Sequence, residues 1–127
     1  LMHTPEPTKA RNYIGVRKHQ ILHNRLRLAN HDLNAHLATI NLSETSNCLH
    51  CQDNVQETTQ HYLFYCTKYL EARRDMYASL NQLGYQPAEI NTDLLLEGDD
   101  DRDETTNKEI FRTVQKFIAR SCRFKMR

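Results

Sequence analysis

Cys48-Leu49-His50-Cys51, followed after a polar spacer by Glu57-Thr58-Thr59-Gln60-His61-Tyr62-Leu63-Phe64-Tyr65-Cys66, decides how this chain is read. As ligands these residues spell C-x2-C-x9-H-x4-C, which supplies three thiolates and one imidazole. Such a set suits a closed tetrahedral zinc site, with two cysteines on a tight turn and a His–Cys pair downstream. The short spacing inside each pair lets both ligands reach one ion at about 2.0–2.3 Å. Cysteine also serves as a small buried filler, but that accounts for a single Cys and not for this pattern. Four protein ligands, Cys48, Cys51, His61 and Cys66, leave no open position for water, so the expected Zn2+ is structural and not catalytic. His50 ranks below His61, because ligation from between the two cysteines would strain the loop.

Composition bounds the rest. A chain of 127 residues makes one domain at most. Leu, Ile, Val and Phe number only 28 of those residues, close to the roughly 20% below which chains tend not to fold. So thin a core benefits from a metal staple, whose apparent binding energy reaches about 10–16 kcal/mol in small zinc modules. Three valines and three glycines argue against a sheet-rich fold. The expected class is mainly α, a small helical domain stapled by one zinc site. No long apolar run or signal peptide is present, so a soluble protein of the reducing cytoplasm or nucleus is expected, with no membrane partner. A chain that opens on Leu1 instead of an initiator Met is expected to be a piece of something longer.

Net charge is +1, but it is unevenly spread. Residues 1–40 and 111–127 are basic, and the middle of the chain is acidic. A nucleic-acid footprint would therefore lie at the ends.

Along the chain, residues 1–15 hold Pro5 and Pro7 and read as a tail or linker, ahead of a helical zinc-binding domain over 16–96. A first helix is expected over Val16–Leu28, with Ile21, Leu22, Leu26 and Leu28 on its apolar side. Lys18 and Arg25 fall inside that side, where their stems would lie over the core or pair with a buried carboxylate. Asp32 is expected to cap a second helix carrying Leu33, Leu37 and Ile40. Thr58 is a natural cap for the helix bearing His61. Cys66, five residues on, belongs at a frayed or tightened helix end. Thr67–Leu83 reads as one helix ending at Gly84, with Arg73 embedded among Tyr69, Leu70, Met76, Tyr77, Leu80 and Leu83. Asn91–Leu96 reads as one more short turn or helix. The run Glu97–Glu104 lacks EF-hand spacing and reads as a solvated acidic loop.

The last helix, Thr105–Arg123 within a segment 105–127 packed on the same domain, is the clearest amphipathic element. Ile110, Val114, Phe117 and Ile118 mark its core side, with Phe111 and Cys122 toward the edge. Cys122 accordingly reads as core. If the helical period runs to the end, Arg112, Lys116, Arg120, Arg123 and Arg127 gather on the opposite side. Such a stripe would contact phosphates, or simply complement a helix C-terminus.

The run Arg25-Leu26-Arg27-Leu28-Ala29-Asn30-His31-Asp32-Leu33-Asn34-Ala35-His36-Leu37, together with Cys48-x2-Cys51, Glu57-Thr58, His61 and Cys66, carries a resemblance. It is similar to the zinc-binding region near the C-terminus of LINE-like (non-LTR) retrotransposon reverse transcriptase polyproteins. Tyr69 and Arg73 match the continuation C-x2-Y-x3-R of that family. The likeness spans about residues 17–76 and departs at Leu28-Ala29-Asn30, where the family usually has Thr-Gly-His. Nine residues between Cys51 and His61 separate it from the retroviral knuckle, C-x2-C-x4-H-x4-C. The resemblance implies a non-catalytic accessory domain, following reverse transcriptase or RNase H domains, that positions RNA or target DNA for target-primed reverse transcription. Arg25, Arg27 and the stripe from Arg112 to Arg127 would then touch the phosphate backbone with little base preference. In the alternative reading, the basic faces dock on the preceding reverse transcriptase or RNase H domains. A third reading, a cysteine nucleophile with His61 as base, predicts a reactive thiol in metal-loaded protein.

Overall fold

The computed structural model describes residues 17–28, 33–51 and 54–124, and the protein is mainly helical. In order come α1 (Arg17–Arg27), α2 (Asn34–Thr39), a π-turn (His61–Tyr65), a 3-10 turn (Thr67–Tyr69), α3 (Leu70–Gln82), a second 3-10 turn (Pro87–Glu89), α4 (Thr92–Glu97) and α5 (Glu104–Ser121). The expected tail over residues 1–15 lies outside the described residues, as do Asp32 and Arg127.

The fold is organised around α5. Its Asp103 cap accepts from the Thr106 amide at 2.8 Å, and Ile110, Phe111, Val114, Phe117 and Ile118 recur at helical spacing and are buried. This face packs against α3 and α1, and α4 closes the side between α1 and α5. The helix stops at Ser121, whose hydroxyl donates to the Ile118 carbonyl at 2.8 Å and accepts the Tyr62 hydroxyl at 2.6 Å. Cys122 then takes the left-handed conformation with φ 51°. It is exposed, so the expected core cysteine is instead the residue that turns the chain out of the helix. Phe124 folds back into the core, its ring 5.3 Å from that of Tyr62.

The buried side of α1 is not the expected one. Leu22, His23 and Leu26 face the core, whereas Ile21 and Leu28 are exposed beside Lys18 and Arg25. His23 decides this rotation. Its Nε2–H donates to the Leu95 carbonyl at 2.9 Å, and its Nδ1 accepts from Gln115 at 3.2 Å. The ring lies edge-on to Phe111 at 4.6 Å. Burial holds the His23 pKa down to about 4, from an ordinary 6.5. Because the folded value lies below the unfolded one, stability from the neutral ring is present above about pH 6.5 and is lost as pH falls from 6.5 toward 4. Across that window the loss is about 3 kcal/mol. An NMR titration should find this imidazole neutral until close to pH 4; a midpoint near 6 would contradict its burial.

The acidic segment is an ordered turn. Asn107, fully buried in α5, accepts from the Asp99 amide at 2.7 Å. It also donates to the Asp99 and Asp103 carbonyls at 2.8 and 3.0 Å. Gly98 passes over it with φ +84°, where an added Cβ would sit 2.5 Å from Asn107 Oδ1. Asp99 accepts from the Tyr85 hydroxyl at 2.7 Å. The carboxylates of Asp99 and Asp103 thus hold the turn and cap the helix.

Candidate metal centre

The loop that carries the first two cysteines is closed by its own backbone. Cys48 N–H donates to the Val55 carbonyl at 2.7 Å, and Glu57 N–H to Ser46 at 2.9 Å, either side of an isolated antiparallel bridge between Asn47 and Gln56. Main-chain bonds therefore set the tight turn that brings Cys48 and Cys51 together.

The second pair is placed by a widened helix. Thr58 Oγ1 accepts from His61 N–H at 3.0 Å, the cap expected from the sequence. Between His61 and Cys66 the chain then makes an i→i+5 bond, Cys66 N–H to the His61 carbonyl at 2.8 Å. In place of the expected frayed or tightened end, the last turn is widened, by about one residue, which puts residues five apart on one side. A 3-10 turn separates this element from α3, so Thr67–Leu83 is not one helix, and Leu70 is exposed.

A π-turn leaves carbonyls without helical partners, and Arg73 takes them. Its guanidinium donates to Leu63 O at 2.8 Å, Cys66 O at 2.8 Å and Tyr62 O at 3.0 Å. The head group lies 5.9 Å from the Phe117 ring centre. Arg73 is buried as a positioning residue behind the ligands, not as a surface contact.

Cys48, Cys51, His61 and Cys66 converge, with their ligand atoms all within 4.8 Å of one another, and form a Cys3His cluster that could hold one metal ion. Cys66 Sγ lies 3.8 Å from both Cys48 Sγ and Cys51 Sγ. That is far beyond a disulfide bond. It equals the edge of a tetrahedron with metal–sulfur bonds of about 2.3 Å, which is about 3.8 Å. His61 Nε2 is buried and has no hydrogen-bond partner among the described residues, as suits a donor waiting for a cation. The donor set and the geometry fit a structural ion.

Main-chain amides already point at the sulfurs. A bond from the Thr67 backbone pulls the Cys51 thiol below its ordinary value. Burial pushes Cys66 up to about 12, against a backbone hydrogen bond from Lys68. The 3-10 turn therefore presents its first amides to two of the three cluster sulfurs, and such hydrogen bonds steady thiolates on a metal. His50 is exposed and lies outside the cluster.

Glu57, which in the sequence counts only toward the resemblance and carries no assigned role, is the residue that joins these parts. Buried at 4% exposure, it accepts the Asn34 amide at 2.7 Å, supplying the cap that α2 lacks. The same carboxylate takes a two-pronged contact from Arg123, Nε and one terminal nitrogen each at 2.7 Å. Glu57 thus ties α2, the metal loop and the chain after α5 into one knot. Glu57→Ala should cost about 3 kcal/mol, the low end for a broken buried pair, because Arg123 keeps some exposure. Urea unfolding of Glu57→Ala measures this. Combined with Arg123→Met, much of the loss should be recovered, and a cost under about 1 kcal/mol for the single variant would mark the pair as effectively solvated.

Of the expected basic stripe, Arg112, Lys116 and Arg120 share the exposed side of α5, but the stripe does not continue past the helix. Arg123 lies beyond the helix end and is committed to Glu57. Arg120 pairs with Asp75, Arg112 with Glu109 at 2.5 Å, and Arg27 with Glu97 at 3.0 Å. Lys116 is exposed and, among the described residues, meets no carboxylate. Arg25 is exposed and lines a cleft of about 910 Å³ beside the metal loop, with Lys18, Ile21, Leu49, His50 and Lys68. No helix among the described residues is long and apolar enough to cross a membrane. No protein-family model, no curated protein and no solved structure matches this chain.

Proposed function

We propose that the chain is a zinc-stabilised, non-catalytic accessory domain that binds the phosphate backbone of RNA or DNA, within a non-LTR reverse transcriptase polyprotein of a reducing compartment. The Cys3His cluster carries this reading, since its spacing bears the family resemblance and its 3.8 Å sulfur separations suit zinc. Cys48, Cys51, His61 and Cys66 would hold the ion. Bound there, zinc supplies rigidity, because four protein ligands leave it no site for water or substrate. The loop, the π-turn and, through Glu57, the start of α2 and the end of α5 then move as one body. Of the cations singled out from the sequence, Arg25 and Lys116 remain free of carboxylates among the described residues, and they support phosphate contact best. Arg123 drops out of that set, being committed to the Glu57 carboxylate.

A docking role on preceding polymerase or RNase H domains is the second reading, favoured by the exposure of Leu28, Leu42, Leu49, Tyr65 and Leu70. The discriminating experiment is binding of zinc-loaded protein to a labelled single-stranded RNA and a DNA duplex across a salt series, with a chelated control. The expected result is micromolar or tighter binding that weakens steeply with salt and disappears on chelation. Folded, zinc-loaded protein that binds neither would leave the docking role.

A further inference from the structure

We infer that the cleft beside the metal loop is a single-strand site, in which phosphates meet Lys18, Arg25 and Lys68 while an unpaired base rests on Leu49 and Ile21. This rests on the nucleic-acid reading above and gives it a place and a substrate form. The observation behind it is the rotation of α1. Turning His23 inward leaves Lys18, Ile21 and Arg25, at spacings of three and four, on one outer strip. Lys18 and Arg25 stand two turns apart, about 10.5 Å along the axis, and so can grip separate phosphates. Across the cleft stands Lys68, exposed, on the 3-10 turn next to the metal ligand Cys66.

Among the described residues none of these three cations meets a carboxylate, in contrast to Arg27, Arg112, Arg120 and Arg123. The acid that lines the cleft, Glu57, is buried and already neutralised by Arg123. The cleft is therefore cationic at its rim. It is also partly apolar: Ile21 is 43% exposed and Leu49, between the two metal-loop cysteines, is 83% exposed. A duplex offers a protein surface its phosphates and groove edges, with base faces stacked away. Only an unpaired strand can offer phosphates and a free base face together. The combination of free cations and bare apolar side chains around about 910 Å³ matches that form.

The test uses the zinc-loaded full chain with labelled oligouridylate, oligothymidylate and a duplex of equal length. Lys18→Ala with Arg25→Ala removes exposed side chains and should preserve the fold. It should lower single-strand affinity at least about tenfold and make the log–log salt slope shallower by roughly 1.4. Leu49→Ala should weaken single-strand binding about threefold and leave both the slope and duplex binding unchanged. Arg112→Ala with Arg120→Ala, whose partners are already carboxylates, should change single-strand binding less than about twofold. If that α5 pair carries the loss and the α1 pair does not, the cleft is overturned while the nucleic-acid reading stands. If Leu49→Ala is silent and the α1 pair weakens duplex and single strand equally, the cleft is only a phosphate patch. No binding of any probe by the wild type defeats both readings.

Discussion

Chelating the metal from zinc-loaded protein is expected to abolish its cooperative thermal transition and most of its helical circular dichroism. Structural zinc contributes an apparent 10–16 kcal/mol or so at neutral pH in small modules, as much as the roughly 5–15 kcal/mol that holds a typical domain together. Here the leverage is large because Cys48, Cys66 and His61 are themselves buried, and Cys66 in particular sits where an uncoordinated thiolate is disfavoured. Cys66→Ser should reproduce the effect in the presence of excess zinc. Cys122→Ser, at an exposed position outside the cluster, should leave both signals within error. Retention of a sharp transition after complete metal removal would show that the helical core stands alone.

Arg73→Met is expected to be the most damaging substitution outside the ligands, at about 3–5 kcal/mol. It keeps the stem's packing near Phe117 but strips the buried carbonyls of Tyr62 and Leu63 of their donor and leaves Cys66 O with the Tyr69 amide alone, at 3.3 Å. Each orphaned carbonyl costs about 1–3 kcal/mol, and some will be rescued by water. Arg73→Lys should recover only part, because an ammonium cannot reach three acceptors in the fan a guanidinium spans. Denaturant unfolding of zinc-loaded protein gives the stability, and competition with a metal indicator gives the zinc affinity. Both should fall together, since the carbonyls belong to the turn that aims His61 and Cys66. A loss below about 1 kcal/mol with unchanged zinc affinity would remove Arg73 from its supporting role.

How much of this was legible beforehand depends on the range of the interaction. Helix existence in α1, α3 and α5 followed from local periodicity, and the cap at Thr58 from a side chain acting within three residues; the Asn91 cap of α4 acts at the same range and was missed. The ligand cluster was legible because coordination chemistry restricts both residue type and spacing. The break between the π-turn and α3 was not, because it depends on Arg73 donating to the Tyr62 and Leu63 carbonyls, which a regular helix would satisfy itself. Cys122 was misread for a similar reason: periodicity places it at the core edge, but the helix ends one residue earlier, at the Ser121–Tyr62 contact.

The basic residues show the limit most clearly. Arg123 and Arg25 look alike in a charge count, yet one is half of a buried ion pair with a residue 66 positions away and the other is exposed on a cleft. From the sequence by itself came the helical class, the Cys3His cluster that could hold a metal ion and the amphipathic C-terminal helix, all of them set by local spacing and by the chemistry of side-chain donors. Tertiary structure alone decided which way α1 turned, through the contacts of His23 with Leu95 and Gln115, and which cations met carboxylates among the described residues. Those outcomes depend on partners brought together only by folding, where a single buried carboxylate or imidazole outweighs the apolar pattern of the helix that faces it.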